Sequence, residues 1–308
     1  MLTYLYSRLT TAIIVIFGVT TLVFLLIHIV PGDPVEVMLG ESAQLADREA
    51  LRDTLGLNLP LWQQWLNYMN QVLHLDLGVS LHSKKQVSSL LLERIPATFI
   101  LAICSMGIAV LVSLPLGIIA AVRKNSVWDS AAMTFAMIGV SIPNFWMGPF
   151  LIMVFALWLG WFPVSGNEGI NSIVLPAVTL GTALAALLSR MIRASLLEVL
   201  NDEYINAARA RGLSNTTVIF RHALANAALP IITVLGLQFG ALLTGAIITE
   251  TIFSWPGIGQ LTIDAIQKRD YPVVQASVLL ISLTYVVINL LTDLAYAFLD
   301  PRIRLESS

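Results

Sequence analysis

Hydrophobic positions fall into six long runs without Asp, Glu, Lys or Arg, and charged positions collect between them. A helix needs about 20 apolar residues to cross the hydrocarbon core of a membrane, so each run predicts one membrane span. Pro143 and Pro149 interrupt the third run, which predicts a kinked or broken helix and leaves a seventh span open. The runs are Leu9–Ile29, Thr98–Val122, Ser130 up to Glu168 (helical to about Gly160), Ile170–Ser189, Ala223–Thr249 and Tyr271–Thr292.

The predicted fold class is an all-α integral membrane protein with about six transmembrane helices. The first run is too long for the core of a signal peptide and no small-residue cleavage motif follows, so we expect a retained anchor.

Among the 308 residues 57% are hydrophobic and 12% are charged, and the mean hydropathy is +0.81. Soluble domains carry about 25% charged residues, so this composition excludes an ordinary soluble enzyme or a disordered chain. A net charge of -2 gives no basic footprint for nucleic acid.

The distribution of Lys and Arg predicts that both termini face the cytoplasm, because short cytoplasmic loops carry an excess of basic residues. In that orientation the inner segments hold ten Lys and Arg in 62 residues, against seven in 107 residues outside. Arg123 and Lys124 follow the second span, and Arg190 and Arg193 follow the fourth.

The long segment after the first span, residues 31–97, predicts two short helices. Ala46–Leu55 predicts a helix that ends at Gly56, and Leu61–Leu73 predicts a second helix behind Pro60. The second helix has an apolar stripe at helical spacing, which fits either packing on the spans or lipid interface, or docking of an external partner. The stripe consists of Trp62, Trp65, Leu66, Met69, Val72 and Leu73.

The inner segment, residues 190–226, predicts a short helix between the fourth and fifth spans. Asp202 and Glu203 lie in its first turn and Arg209 and Arg211 in its last, which suits the helix dipole. Gly212 can end the helix in the left-handed conformation. Ser214 or Asn215 can cap a following helix. Small side chains at Ala207, Ala208 and Ala210 permit close approach to another surface, although an ordinary solvated loop helix fits the same pattern.

The sequence lacks the usual motifs of an energy source or a catalytic centre. It contains no phosphate-binding loop and no clustered metal ligands, and Cys104 is the only cysteine. A membrane protease would need an activated serine, and Ser141 is followed by Ile142 and Pro143 instead of a second glycine.

A gradient-driven carrier is a further alternative, because charged residues inside spans mark ion relays. Asp293 is the one acid close to this description, and pairing with an inner arginine or water explains it more simply. Asn144 and Gln238 lie within spans, where they fit either contacts between helices or the lining of a pathway.

Short motifs throughout the chain resemble binding-protein-dependent ABC-transporter permeases. Ala207-Ala208-x-x-x-Gly212 is similar to their EAA loop, and its surroundings, Asp202-Glu203-Tyr204 and Arg221-His222-Ala223-Leu224, resemble the dipeptide, oligopeptide and nickel branch. The long outer segment resembles the first of the two different permeases in such systems. Further motifs of this branch are Pro31-Gly32-Asp33-Pro34, Leu55-Gly56-Leu57, Asp76-Leu77-Gly78, Ser141-Ile142-Pro143-Asn144-Phe145-Trp146, Glu250-Thr251-x-Phe253-Ser254-Trp255-Pro256-Gly257-x-Gly259, Arg269-Asp270-Tyr271-Pro272 and Asp300-Pro301-Arg302-Ile303-Arg304.

The resemblance implies a non-enzymatic permease subunit of an ATP-driven importer in a bacterial inner membrane. Its implied partners are a second, homologous permease, two ATPase subunits that hold ATP and Mg²⁺, and an external solute-binding protein. The short inner helix would couple the permease to an ATPase, and outer residues would dock the binding protein. The expected coupling residues are Glu203, Asn206, Ala207, Ala208, Arg209, Arg211 and Gly212; the expected pathway residues are Ser141, Asn144 and Gln238; the expected outer docking residues are Trp62, Trp65 and Glu250.

Two features depart from the general EAA pattern. Asn206 replaces its glutamate, and Pro230 lies farther from Gly212 than the pattern's proline, although both features look typical of this branch. The branch implies dipeptides, oligopeptides or glutathione-like peptides as substrate, with nickel or metal chelates as the alternative. The expected division is an anchor with the outer segment over 1–97, a permease core over 98–299 and a cytoplasmic tail over 300–308.

Overall fold

The computed structural model describes residues 2–29, 35, 39, 44–54 and 56–299, and its regular elements there are helices. The helices are α1 (Leu2–Ile29), α2 (Leu45–Thr54), α3 (Leu61–Leu73), α4 (Val87–Val122), α5 (Val127–Ser141), α6 (Asn144–Leu151), α7 (Val174–Val199), α8 (Glu203–Ala210), α9 (Leu224–Gly245), α10 (Ile247–Ile252), α11 (Ile258–Gln267) and α12 (Tyr271–Leu299). A π-helical segment, Ile152–Trp158, extends α6, and another, Val218–Ala223, leads into α9. The Pro31-Gly32-Asp33-Pro34 motif and the predicted tail, 300–308, lie outside the described residues.

Within the described residues, five helical stretches are long and apolar enough to cross a membrane, and a bent pair brings the count to six. The bent pair, Val127–Ser141 and Asn144–Trp158, turns by 98°. The helix breaks at Ile142, which has an extended backbone. Pro143 causes this break, because proline disfavours helical conformation in the residue before it and has no N–H to continue the helix. The prediction of about six spans with a broken third stretch is therefore confirmed.

The centre of the bundle lies where α4 and α7 pack against each other. Leu101 and Ala102 of α4 and Ala177 and Leu180 of α7 are buried together with residues of α9 and α12. Gly181 brings the two backbones close, because an added Cβ would lie 2.8 Å from the Ser105 carbonyl oxygen. Small residues at such contacts let membrane helices pack by van der Waals contact.

The first and last helices, α1 and α12, pack antiparallel. The guanidinium of Arg8 lies 3.2 Å from the carboxylate of Asp293, so that acid pairs with an arginine, which is one of the two predicted explanations for it. Near the other end of α1, Gln275 Nε2 donates to the Val23 carbonyl. Both contacts join the beginning of the chain to its end.

The outer helix α3 lies against α1, and its bounds match the predicted helix. Trp65 Nε1 donates to Thr21 Oγ1 over 3.3 Å, and the Trp65 ring makes an edge-on contact with Phe17. Trp62 is 61% exposed. Part of the apolar stripe therefore packs on the first span, and part of it stays open.

Candidate functional site

The short inner helix α8 begins after Asp202 and ends at Ala210, and Gly212 follows two residues later. Glu203 lies in its first turn and Arg209 in its last, as the sequence predicts. The chain leaves the helix through Gly212 with φ of 79°, a left-handed conformation that costs glycine little. Ser214 Oγ then accepts from the Thr217 backbone N–H and caps the next turn.

One face of α8 is anchored to the inner ends of three spans. Ile205 and Ala208, three positions apart and so on one side of the helix, are buried. They share a core with Ala121 of α4, Ile192 of α7 and Val218 at the approach to α9. A displacement of α8 must therefore either move the span ends or break this apolar contact.

A polar contact fixes α8 against the start of α9. The Asn226 carboxamide donates to the hydroxyl of Tyr204 over 2.8 Å and to the His222 carbonyl over 3.0 Å. The hydrogen bond with Tyr204 crosses from α8 to α9, so it sets the position of α8 relative to the fifth span.

The opposite face of α8 and the two residues that follow it carry nearly all of the predicted coupling residues. Ala208 is the exception: it is 7% exposed and packs inward, so the prediction that it meets a partner is wrong for this residue. Ala208 lies three residues after the apolar Ile205, and this spacing was the signal in the sequence for its inward direction. The exposed residues of the predicted set are Glu203, Asn206, Ala207, Arg209, Arg211 and Gly212.

An ion pair beside this core joins the third and fourth spans at their inner ends. The Arg193 guanidinium donates through Nε and Nη2 to the two carboxylate oxygens of Asp129, each over 2.7 Å. The Asn125 backbone N–H also donates to Asp129. Arg193 was predicted only as one of the basic residues after the fourth span, and Asp129 was not singled out, because its partner lies 64 residues away in the sequence.

The predicted pathway residues lie at two places in the bundle. Ser141 ends α5 and Asn144 begins α6, so both lie at the 98° bend. The Ser141 hydroxyl donates to the Met137 carbonyl. Gln238 lies half-buried on α9. A cavity of about 130 Å³ adjoins the bend, and its walls include Gly139 and Thr182.

Glu250, predicted to dock an outer partner, is fully buried, so its prediction as an accessible docking residue is wrong. Thr98 Oγ1 donates to its Oε1 over 2.8 Å and the Gln260 backbone N–H donates to its Oε2 over 3.1 Å. A Cβ at position 257 would lie 2.2 Å from Oε1, so only glycine there leaves space for the carboxylate. The Gly257-x-Gly259 motif was the signal in the sequence.

Two further contacts hold the segment around Glu250 in place. Trp255 Nε1 donates to the Ala97 carbonyl over 2.8 Å, and the Ile258 backbone N–H donates to Thr98 Oγ1. The segment from α10 to α11 is therefore fastened to α4 beside the two glycines.

Asp270 fastens the end of the outer segment, a role that the sequence analysis missed. Its carboxylate accepts from the Ser80 hydroxyl and from the backbone N–H groups of Leu81 and His82. The acid lies in the Arg269-Asp270-Tyr271-Pro272 motif, between α11 and α12. Within the described ranges, no group of three or more His, Cys, Asp and Glu side chains is arranged to hold a metal ion.

The chain matches two family descriptions that cover most of its length. Residues 113–305 match the binding-protein-dependent transport system inner membrane component, and residues 1–102 match the N-terminal part of such membrane components. The chain belongs to this family of transport permeases. It is a multi-pass inner membrane component of a binding-protein-dependent ABC importer, and the resemblance found in its motifs is confirmed.

Similar permeases extend over the full chain. The dipeptide transport system permease protein DppB of Escherichia coli K12 is 43% identical over 99% of both chains. The glutathione transport system permease protein GsiC of Shigella flexneri serotype 5b is also 43% identical over 99% of both chains.

Solved structures share the fold of the permease at low sequence identity. The MetNI methionine ABC transporter in inward-facing conformations matches with a TM-score of 0.57 and 18% identity, over 69% of this chain and 97% of the other. An amino acid ABC transporter with histidines matches with a TM-score of 0.52 and 17% identity, over 70% and 94% of the two chains. The all-α membrane fold is thereby confirmed.

Proposed function

We propose that this permease forms half of the translocation pathway of an ATP-driven importer for dipeptides, oligopeptides or glutathione-like peptides. The observation that carries the substrate class is the full-length similarity to two permeases named for dipeptide and glutathione transport. The other half of the pathway is a second, homologous permease. The solute-binding protein delivers the peptide from outside, and two ATPase subunits bind ATP and Mg²⁺ inside, so this chain contributes no catalytic residue.

The inner helix α8 transmits the ATPase movement to the spans. Its exposed side chains, among them Ala207 and Arg209, contact an ATPase, and the small side chain of Ala207 allows a tight fit. Its buried Ile205 and Ala208 lie in one core with the ends of three spans. Since packed side chains resist compression, a shift of α8 moves those span ends together.

Both termini lie in the cytoplasm in this proposal, which places α8 on the same side as the ATPases. The excess of Lys and Arg in the inner loops supports the orientation. Residues 1–97 form the anchor and outer segment, 98–299 the permease core and 300–308 the tail. The broken helix at Ser141 and Asn144, together with Gln238 on α9, lines the pathway, and Trp62 and Trp65 lie on the side that receives the binding protein.

Co-purification from a mild-detergent extract tests the assembly. We expect a tagged permease to retain one different permease and two ATPase subunits, identified by mass spectrometry. The complex is then reconstituted into liposomes with its binding protein, and ATP-dependent uptake of labelled dipeptide, glutathione and a nickel chelate is compared. Recovery of a homo-oligomer without an ATPase overturns the assembly, and uptake of the nickel chelate alone overturns the peptide assignment.

A further inference from the structure

A cleft of about 250 Å³ separates the first and last helices beside the Arg8–Asp293 ion pair. On α1 it is lined by residues 8, 11, 12 and 15, which recur at the spacing of one helix face. On α12 its walls include Asn289 and Leu290. The two helices touch along their length, and these faces leave an opening at the end nearest the termini.

The cleft is polar at one end and apolar at the other. The side chains of Arg8 and Asp293 are 44% and 35% exposed, so both charges are accessible at the end of the span. Val15 lies seven residues from Arg8, about 10 Å farther along the helix and into the hydrocarbon. A ligand that fills the cleft therefore needs a charged head at the membrane boundary and an apolar chain below it, as a phospholipid has.

The ion pair selects among phospholipid headgroups by charge. Arg8 matches a phosphate and Asp293 matches an ammonium group, so the two residues complement a zwitterionic headgroup. An ammonium with N–H groups can donate to Asp293, whereas a choline group has no such donor. A headgroup with only negative charge would meet repulsion from Asp293.

Asn289 provides an independent polar contact inside the cleft. It lies one helical turn from Asp293, at a depth below the headgroup, and its Oδ1 is buried without a hydrogen-bond partner among the described residues. Polar groups at such depth are otherwise hydrogen-bonded. Oδ1 and an ester carbonyl are both acceptors, so a glycerophospholipid ester pairs with this side chain through the Nδ2 H₂ group, which donates to the ester carbonyl.

We propose that this cleft binds one phosphatidylethanolamine molecule from the membrane leaflet that lies at the chain termini. The phosphate lies against Arg8, the ammonium group against Asp293 and the ester region against Asn289. One acyl chain follows the apolar wall past Val15. Binding does not depend on which leaflet this is, so the site is independent of the proposed orientation.

Native mass spectrometry of the purified, delipidated transporter complex tests the site. Phosphatidylethanolamine, phosphatidylcholine and phosphatidylglycerol with identical acyl chains are each titrated back. We expect one molecule of phosphatidylethanolamine per permease, with an affinity roughly tenfold above that for phosphatidylcholine or phosphatidylglycerol. Only the ethanolamine ammonium can donate a charge-assisted hydrogen bond to Asp293, and such a bond contributes strongly to the free energy of binding. Equal affinity for all three lipids overturns the proposal.

Three variants locate the lipid. Asp293→Asn is expected to reduce the affinity for phosphatidylethanolamine roughly tenfold, to that for phosphatidylcholine. Val15→Trp fills the apolar end, leaves the ion pair in place and is expected to abolish lipid retention. Arg123→Gln is the matched control, since Arg123 lies over the Trp128 ring at another span end and is expected to bind lipid normally.

Cross-linking distinguishes lipid from protein in the cleft. A photo-reactive residue introduced at position 15 is expected to label phospholipid in the intact membrane. Labelling of residues 300–308 or of the second permease would identify a protein occupant and overturn the proposal, as would unchanged lipid affinity in the Val15→Trp complex.

Discussion

The Arg193 guanidinium donates two parallel hydrogen bonds to the carboxylate of Asp129, which lies 64 residues earlier in the sequence. The Arg193 side chain is 27% exposed and that of Asp129 is 7% exposed. Two-point contacts of this kind fix orientation as well as distance. The pair therefore sets how the third span leaves the inner face beside the core that anchors α8.

Arg193→Ala is expected to destabilise the permease by about 3 kcal/mol, because it leaves the Asp129 carboxylate buried without its counter-ion. The measurement is thermal unfolding of the purified permease in detergent. The double variant with Asp129→Asn should recover part of the loss. Arg190→Ala, on an exposed arginine three residues away, is the control. Equal effects of the two arginine variants would contradict a structural role for the pair.

Ala207→Trp and Ala208→Trp are expected to fail in different ways. Ala207 is exposed, so its variant should fold normally, within about 0.5 kcal/mol of wild type, and hydrolyse ATP without uptake. Ala208 is buried, so tryptophan overpacks the core, and we expect a loss of about 1–3 kcal/mol. Unfolding and coupled uptake are measured in parallel. Thr216→Trp on the same inner loop is the control, and normal uptake by Ala207→Trp would refute the proposed contact.

Gly212→Ala is expected to destabilise the end of α8 by about 1–2 kcal/mol through backbone strain alone. No atom lies within 4 Å of the added Cβ, so a steric clash does not contribute. Gly212→Asn should lose less stability than Gly212→Ala, because asparagine tolerates the left-handed conformation better. Gly212→Pro cannot adopt the observed φ, so we expect it to uncouple ATP hydrolysis from uptake. Hydrogen exchange of residues 203–213 reports the local change. An alanine variant as protected as wild type would argue against this account.

Glu250→Ala is expected to destabilise the segment from α10 to α11 by about 2–3 kcal/mol, since the Gln260 N–H and the Thr98 hydroxyl both lose a buried acceptor. The checking measurement is hydrogen exchange in α10 and α11. Asp264→Ala, on a half-buried acid of α11, serves as the comparison. Similar hydrogen exchange in the two variants would disprove that Glu250 holds α10 and α11 in place.

The stability of the segment from α10 to α11 is expected to depend on pH through Glu250. Burial raises the pKa of the Glu250 carboxyl, against the opposing hydrogen bonds from Thr98 and the backbone. A folded pKa above the unfolded one means that the folded state holds the proton more tightly. The stabilisation is therefore complete below the ordinary pKa and is lost as the pH rises toward the raised value. Glu250→Gln should remove this slope, which a pH series of thermal unfolding measures.

Trp65→Ala and Trp62→Ala separate the packed and open parts of the outer stripe. Loss of Trp65 removes the contacts with Phe17 and Thr21 and is expected to cost about 1–2 kcal/mol, less than a fully buried tryptophan. Loss of Trp62 should leave stability unchanged and weaken capture of the binding protein by reconstituted transporter. Unimpaired capture would remove Trp62 from the docking surface.

The elements that the sequence predicts best are those whose boundaries have a local cause. The outer helix α3 begins directly after Pro60, and both of its bounds match the prediction. By contrast, α4 begins at Val87, eleven residues before the apolar run at Thr98, because a helix can continue past the charged residues Glu93 and Arg94. The hydropathy of the sequence therefore predicts which part of a helix crosses the membrane, but it does not predict the residue at which the helix begins or ends.

The site residues that were misjudged depend on distant partners. Glu250 looks like a surface acid in the sequence, and its burial depends on Thr98, 152 residues earlier. Asp129 depends in the same way on Arg193. The inner helix was predicted from its own residues, but the direction of Ala208 is determined by the span ends that pack around it.

The antiparallel contact of α1 with α12 affects the order in which the chain assembles. Its two ends meet at Arg8 and Asp293, 285 residues apart. At synthesis rates of about 5–20 residues per second, the first helix enters the membrane roughly 15–60 s before its partner exists. During that interval its packing face and Arg8 are open to lipid or to the insertion machinery, and α1 can pack in its final place only after the last helix has been inserted.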